Sequence, residues 1–144
     1  MGLLQIQAPA DEPLSLVDAK NVLKLDAADT SEDVPLAIWI QSAREYAQTL
    51  TGRSFITQKW RLELDTFFSA SGRSGDYQWA IALEFGPVQS VDAVTYLAMD
   101  RTSTSWAGTE YVLAKVGPVA RLAPRFGKIW PIAIPEPGSV QIDF

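Results

Sequence analysis

The side chains able to do chemistry in this 144-residue chain are carboxylates, aromatics and a few cations, because histidine and cysteine are both absent. Their absence removes Cys/His and Ser/His nucleophile pairs, disulfides and the usual Cys/His zinc sites. Carboxylates crowd one stretch, Asp26, Asp29, Glu32 and Asp33, without the ligand spacing of an EF-hand. That stretch reads as a solvated acidic loop. There is no GxxxxGK[ST] phosphate loop, no GxGxxG opening a helix and no GxSxG nucleophile elbow. Two carboxylates meeting in space could still hydrolyse a glycoside, but no motif marks such a pair. The expectation is a protein that is not an enzyme and carries no metal or cofactor. A rival reading is a soluble ligand-binding α+β domain with Trp79, Trp106 and Tyr111 lining a pocket.

Charge placement says more than charge total. The net charge of −5 argues against broad, sequence-independent nucleic-acid binding, which needs a basic footprint. It suits a wall past which DNA slides without sticking. Residues 1–35 hold seven acids and two lysines, whereas residues 115–135 hold Lys115, Arg121, Arg125 and Lys128 and no acid. Opposite poles suit head-to-tail packing in a ring, and they are equally compatible with plain solvated surface. No apolar run approaches the ~18 residues of a membrane span. The first residues lack the basic and apolar regions of a secretory signal. The chain therefore reads as soluble and intracellular when made, with no membrane partner.

The elements that must position these groups follow from periodicity. One domain is the expectation, with residues 1–13 as an extended arm, 14–52 helical and 55–144 β-rich. Residues 15–25 form a short helix capped by Ser15, with Leu16, Ala19, Val22 and Leu23 inward and Lys20, Asn21 and Lys24 outward. Residues 34–51 form a longer helix whose stripe is Leu36, Trp39, Ile40, Ala43, Ala47 and Leu50, with Arg44 and Glu45 solvated. Pro35 falls in its first turn, and Gly52 stops it. A two-residue rhythm then begins: Trp60, Leu62 and Leu64, followed by Trp79, Ile81, Leu83 and Phe85, read as one long hairpin with a tip at residues 69–76. Further strands are expected at 91–97, 111–114, 119–122 and 140–144. The segment 124–138 is too proline-rich for a central strand. The fold class is α+β: two N-terminal helices packed on an antiparallel sheet or small barrel.

Several side chains are candidates for a partner or subunit interface. Trp106, in a polar loop, is either a cap over the sheet or an interface anchor. Trp130 reads as a plug at the base of the proline-rich loop and also stands among the interface candidates. Phe67 and Phe68 are adjacent, so one ring packs inward and Phe68 is left for a partner. Arg53, just past the helix stop, ties helix to sheet or reaches a neighbouring subunit, and Arg121, Arg125 and Lys128 supply the basic pole.

The stretch AREYAQTLTGRSFITQKWRLELDTF, residues 43–67, resembles the hallmark of the head–tail connector (adaptor) proteins of tailed phages, prophages and gene transfer agents. PLSLVDAKNVLKLD resembles that family's opening helix and PVQSVDAVTYLAMD its central strand. Tyr111-Val112, Arg121-Leu122, Trp130-Pro131 and residues 140–144 fall in the family's order. The resemblance implies a non-catalytic ring, dodecameric in the family, below the portal protein at the virion neck. Such a ring extends the DNA channel, meets DNA transiently in its lumen and docks a downstream neck or tail stopper protein. It is assembled in the host cytoplasm. Another virion ring component, such as a tail terminator or minor structural protein, is the neighbouring alternative. Family members continue past the last strand into apolar helices, whereas this sequence ends at Phe144.

Overall fold

Two capping residues set the limits of the helical part. The computed structural model describes residues 2–67, 79–117 and 119–144, and it divides into two compact units, Pro9–Gln58 and Met1–Ala8 with Lys59–Phe144. In the first unit, α1 (Leu16–Leu23) starts where Ser15 Oγ accepts the Asp18 N–H at 3.1 Å, satisfying a donor the helix cannot use. It ends at Lys24, whose backbone turns left-handed at φ 58. The second helix, α2 (Asp33–Thr51), ends at Gly52, where φ 63 suits a residue without Cβ and the N–H returns to the Gln48 carbonyl. The Ser15 cap and the Gly52 stop match the expectation, whereas α1 ends at Leu23, short of the expected residue 25.

Among the described residues the second unit has eight strands: β1 (Gly2–Gln7), β2 (Lys59–Leu64), β3 (Ile81–Leu83), β4 (Ala93–Leu97), β5 (Ser103–Ser105), β6 (Tyr111–Ala114), β7 (Ala120–Pro124) and β8 (Val140–Asp143). They form a five-stranded sheet, β1-β2-β8-β4-β5, and a three-stranded sheet, β3-β7-β6. Every pairing is antiparallel. The core lies between alternate side chains of these strands, with Leu83, Val94, Leu122, Val140 and Ile142 fully buried. The α+β class is borne out.

Three expectations change. The small barrel is two open sheets, because β1 and β5 end the larger sheet without closing it. The long hairpin does not form between its two strands: β2 pairs with β1 and β8, while β3 pairs with β7. Both edges of β2 are occupied, and Phe85 at φ 59 turns the chain out of extended geometry beyond β3. The hairpin tip at 69–76 lies outside the described residues. The arm at the start is an edge strand of its own sheet, with Gly2 opposite Glu63 and Gln5 opposite Trp60.

β8 joins β2 to β4. Its Ile142 faces Leu62 on one side and Val94 on the other, all three buried. Truncating Ile142→Ala is expected to cost about 2–5 kcal/mol through lost transfer energy and a residual cavity. Val112→Ala, on the edge strand β6, should stay within about 0.5 kcal/mol. Urea unfolding followed by circular dichroism measures both.

Candidate assembly surfaces

The helical unit turns its polar groups inward. Arg44 is 5% exposed, and its guanidinium donates to both Glu12 oxygens at 2.7 and 3.2 Å. Lys20 is 4% exposed; it pairs with Asp33 and donates to the Asp29 carbonyl at 2.7 Å. Gln48 is buried too and accepts from Gln58 Nε2 at 2.9 Å. The expectation that Arg44 and Lys20 face solvent is therefore corrected. Their charges are tolerated because each meets a carboxylate, Arg44 through two hydrogen bonds and Lys20 through an ion pair. Leu36 and Ile40 lie on the same side of α2 as Arg44 and Gln48, at successive four-residue steps.

The other side of α2 is apolar and open. Trp39 is 63% exposed, Tyr46 71% and Leu50 73%, with Ala43 exposed between them. Steps of four, three and four place these residues in one stripe. Val34 and Ile38 on α2 and Val17 and Val22 on α1 are exposed as well. Half of the apolar stripe read from the sequence thus faces outward, and Tyr46 lies in the open rather than with its ring on a core. Exposed apolar side chains lined up along one stripe are what an interaction surface needs.

In the sheet unit, Trp106 belongs to an aromatic cluster. Its ring centroid lies 4.9 Å from Trp130, 5.4 Å from Tyr111 and 6.1 Å from Phe67, and Phe67 stacks on Trp130 at 4.9 Å. Trp106 is half-buried and caps this cluster. Trp130 is 2% exposed, and its indole N–H donates to the Trp79 carbonyl at 2.9 Å. A side chain so buried gives a partner no area to touch, so Trp130 is a packing residue at the base of the proline-rich segment. The rings fill the space between one another where the rival reading has Trp106 and Tyr111 lining a pocket. Phe68 lies outside the described residues.

The basic candidates separate. Arg125 and Lys128 share a turn, closed by the Lys128 N–H on the Arg125 carbonyl at 2.8 Å, and both are exposed. Lys128 also reaches Glu110 at 2.8 Å. Between and beyond them stand Phe126, fully exposed, and Ile129 and Ile132, both largely exposed. Arg121 projects from β7, and Arg53 lies in the helical unit, exposed. The apolar side chains at 126, 129 and 132 were missed by the sequence reading. Their three-residue spacing beside prolines was the available signal.

Three carboxylates have their titration lowered by specific donors. The Lys59 ammonium, 2.6 Å from Asp92, holds that carboxyl below the ordinary range. Backbone N–H groups of Ser31 and Thr102 do the same for Asp29 and Asp100. Asp143, bound through two oxygens at 2.7 and 2.8 Å, pushes the Arg61 guanidinium up. Burial raises the Tyr111 hydroxyl. Among the described residues no group of three or more His, Cys, Asp or Glu could hold a metal, and no helix is long and apolar enough to cross a membrane.

No family model and no curated protein matches the chain. Solved structures match it along its whole length. The chain is similar to one in the neck of an empty GTA (gene transfer agent) particle computed with C6 symmetry, with 22% identity and a TM-score of 0.79. It is similar to one in the virion of a native gene transfer agent particle, with 20% identity and a TM-score of 0.78. A chain of the native neck computed with C12 symmetry gives 25% identity and a TM-score of 0.66. All of this chain is covered, against 70%, 70% and 68% of the respective neighbours. The protein is thus an α+β chain with the fold of gene transfer agent neck and virion chains. That agrees with the resemblance of residues 43–67 to head–tail connector proteins.

Removing Arg44 leaves Glu12 in place without its cation. Arg44→Ala should cost about 1–3 kcal/mol, below the figure for a fully buried pair because Glu12 is 31% exposed on its side chain. A double-mutant cycle with Glu12→Gln should show coupling of the two sites. Acid should destabilise the fold as well. The folded values of Asp29, Asp92 and Asp100 lie below the unfolded one. The folded state therefore binds fewer protons, and their contribution is full above about pH 3.9 and lost as pH falls through the lower folded values. Urea midpoints at pH 7, 3.5 and 2.5 should fall in that order, with Asp92→Asn flattening part of the decline.

Proposed function

We propose that the chain is a structural component of the neck of a tailed particle, a head–tail connector that assembles as a ring below the portal protein. The observation that carries this reading is whole-length similarity to chains of gene transfer agent necks computed with C6 and C12 symmetry. The exposed apolar stripe on α2 supports it, because a ring subunit must keep apolar area for its neighbours. So does the acidic balance, which lets DNA pass through a lumen without capture. In this role the ring extends the DNA channel, receives the portal on one side and docks a stopper or tail protein on the other. The work is positional, and no reaction is required.

A ring of a different neck or tail component is the second reading, supported by one neighbour's coming from a neck computed with C6 symmetry. Copy number in the particle separates the two, with twelve subunits expected for the connector. Negative-stain imaging of the purified protein, alone and mixed with portal, tests the first reading. Closed rings that bind portal are expected. A chain that remains monomeric at all concentrations and ignores portal overturns it.

A further inference from the structure

Charge divides unevenly between the two units. Pro9–Gln58 carries eight acids and four bases, and two of those bases, Lys20 and Arg44, are buried against carboxylates. The helical unit is consequently acidic on balance, with Glu32 exposed at the start of α2 and Glu45 exposed along it, engaged by Gln41 and Arg44. The loop at 125–132 is its complement. It carries Arg125 and Lys128 around Phe126, Ile129 and Ile132, and no acid occurs from 111 to 135.

Resting on the ring reading, we propose that the 125–132 loop of one copy docks on the Trp39–Ala43–Tyr46–Leu50 stripe of α2 in the next copy. Each partner presents what the other lacks. The stripe supplies two large amphipathic rings, the residue type that dominates interface energetics. The loop supplies a fully exposed phenylalanine to lay against them, and Arg125, beside a Lys128 that Glu110 holds within its own chain, brings positive charge to the acidic helical unit. Proline at 124, 131, 135 and 137 limits the freedom the loop gives up on docking. The surfaces differ, so the contact is heterologous: each copy uses its loop on one neighbour and its stripe on the other, which is the arrangement a closed ring repeats. A second copy is favoured over another neck protein because both complementary surfaces lie on this chain.

The absence of cysteine makes the test clean. Ala43→Cys and Ile129→Cys chains are mixed, allowed to assemble and oxidised mildly. A disulfide-linked heterodimer is expected on a non-reducing gel, well above the yield from Ala43→Cys mixed with Met99→Cys. Separately, Phe126→Asp and Trp39→Asp, both at exposed positions, should fold with unchanged circular dichroism and self-associate about tenfold or more weakly in sedimentation. Rings that form normally from Phe126→Asp, with no excess of the 43–129 cross-link, overturn this contact and leave the ring reading standing. The same holds if those variant rings lose only their grip on another neck protein. A wild-type chain that never assembles, alone or with portal, removes the ring reading and this contact together.

Discussion

The larger sheet depends on the strand β8 being in place. It lies between β2 and β4 and is hydrogen-bonded to both, so the backbone ladders of the two halves of the sheet meet on it. Its residues alternate between two duties. Val140 and Ile142 fill the core, while Asp143 grips Arg61 through both carboxylate oxygens across the strand pair. Beyond it, Phe144 and Trp60 exchange backbone hydrogen bonds at 2.8 and 2.9 Å. At the other end, Ser139 donates to the Asp65 carbonyl and Asp65 accepts the Gly138 N–H. Register is thereby fixed at both ends of the β2–β8 pair. A slip by one residue would turn Ile142 outward and Asp143 into the core.

The helical unit solves a different problem. Some inward positions of this unit are filled by polar side chains in place of apolar ones. Here Arg44, Lys20 and Gln48 fill them, each held by directed polar contacts within the unit. Buried ion pairs contribute less net stability than well-packed apolar side chains would. What they provide is a defined inward face whose removal leaves a charge unpaired. That leaves Trp39, Tyr46 and Leu50 free to face outward.

Local signals in the sequence were reliable because their causes are local. The Ser15 cap and the Gly52 stop depend on residues within one helical turn. The alternation at Trp60, Leu62 and Leu64 reported a half-buried strand, and Leu62 and Leu64 are buried. Pairing was not legible: alternation marks a strand but not its neighbours, and β2 found its partners at the two ends of the chain. The burial of Arg44 was equally hidden, since Glu12 lies on a separate segment and no periodicity links the two. Of the candidate surface, the basic pole was readable from composition. The outward stripe was not, because a pattern of apolar residues shows which positions share a side of a helix and not which side the rest of the protein covers.

Topologically, the whole helical unit is an insertion in a hairpin. β1 and β2 are antiparallel neighbours, with Gln7 opposite Lys59, and everything from Ala8 to Gln58 is threaded between them. In polymer terms, the strand pair must close a long loop before its ladder forms, an entropic debit that grows only logarithmically with loop length. Helices that form early on local contacts shorten the effective loop, so α1 and α2 would lower that barrier before any sheet exists. The same geometry makes the insert a separable cassette. Its two ends meet at one place on the sheet, so its length and surface can change without altering the strand order that receives it.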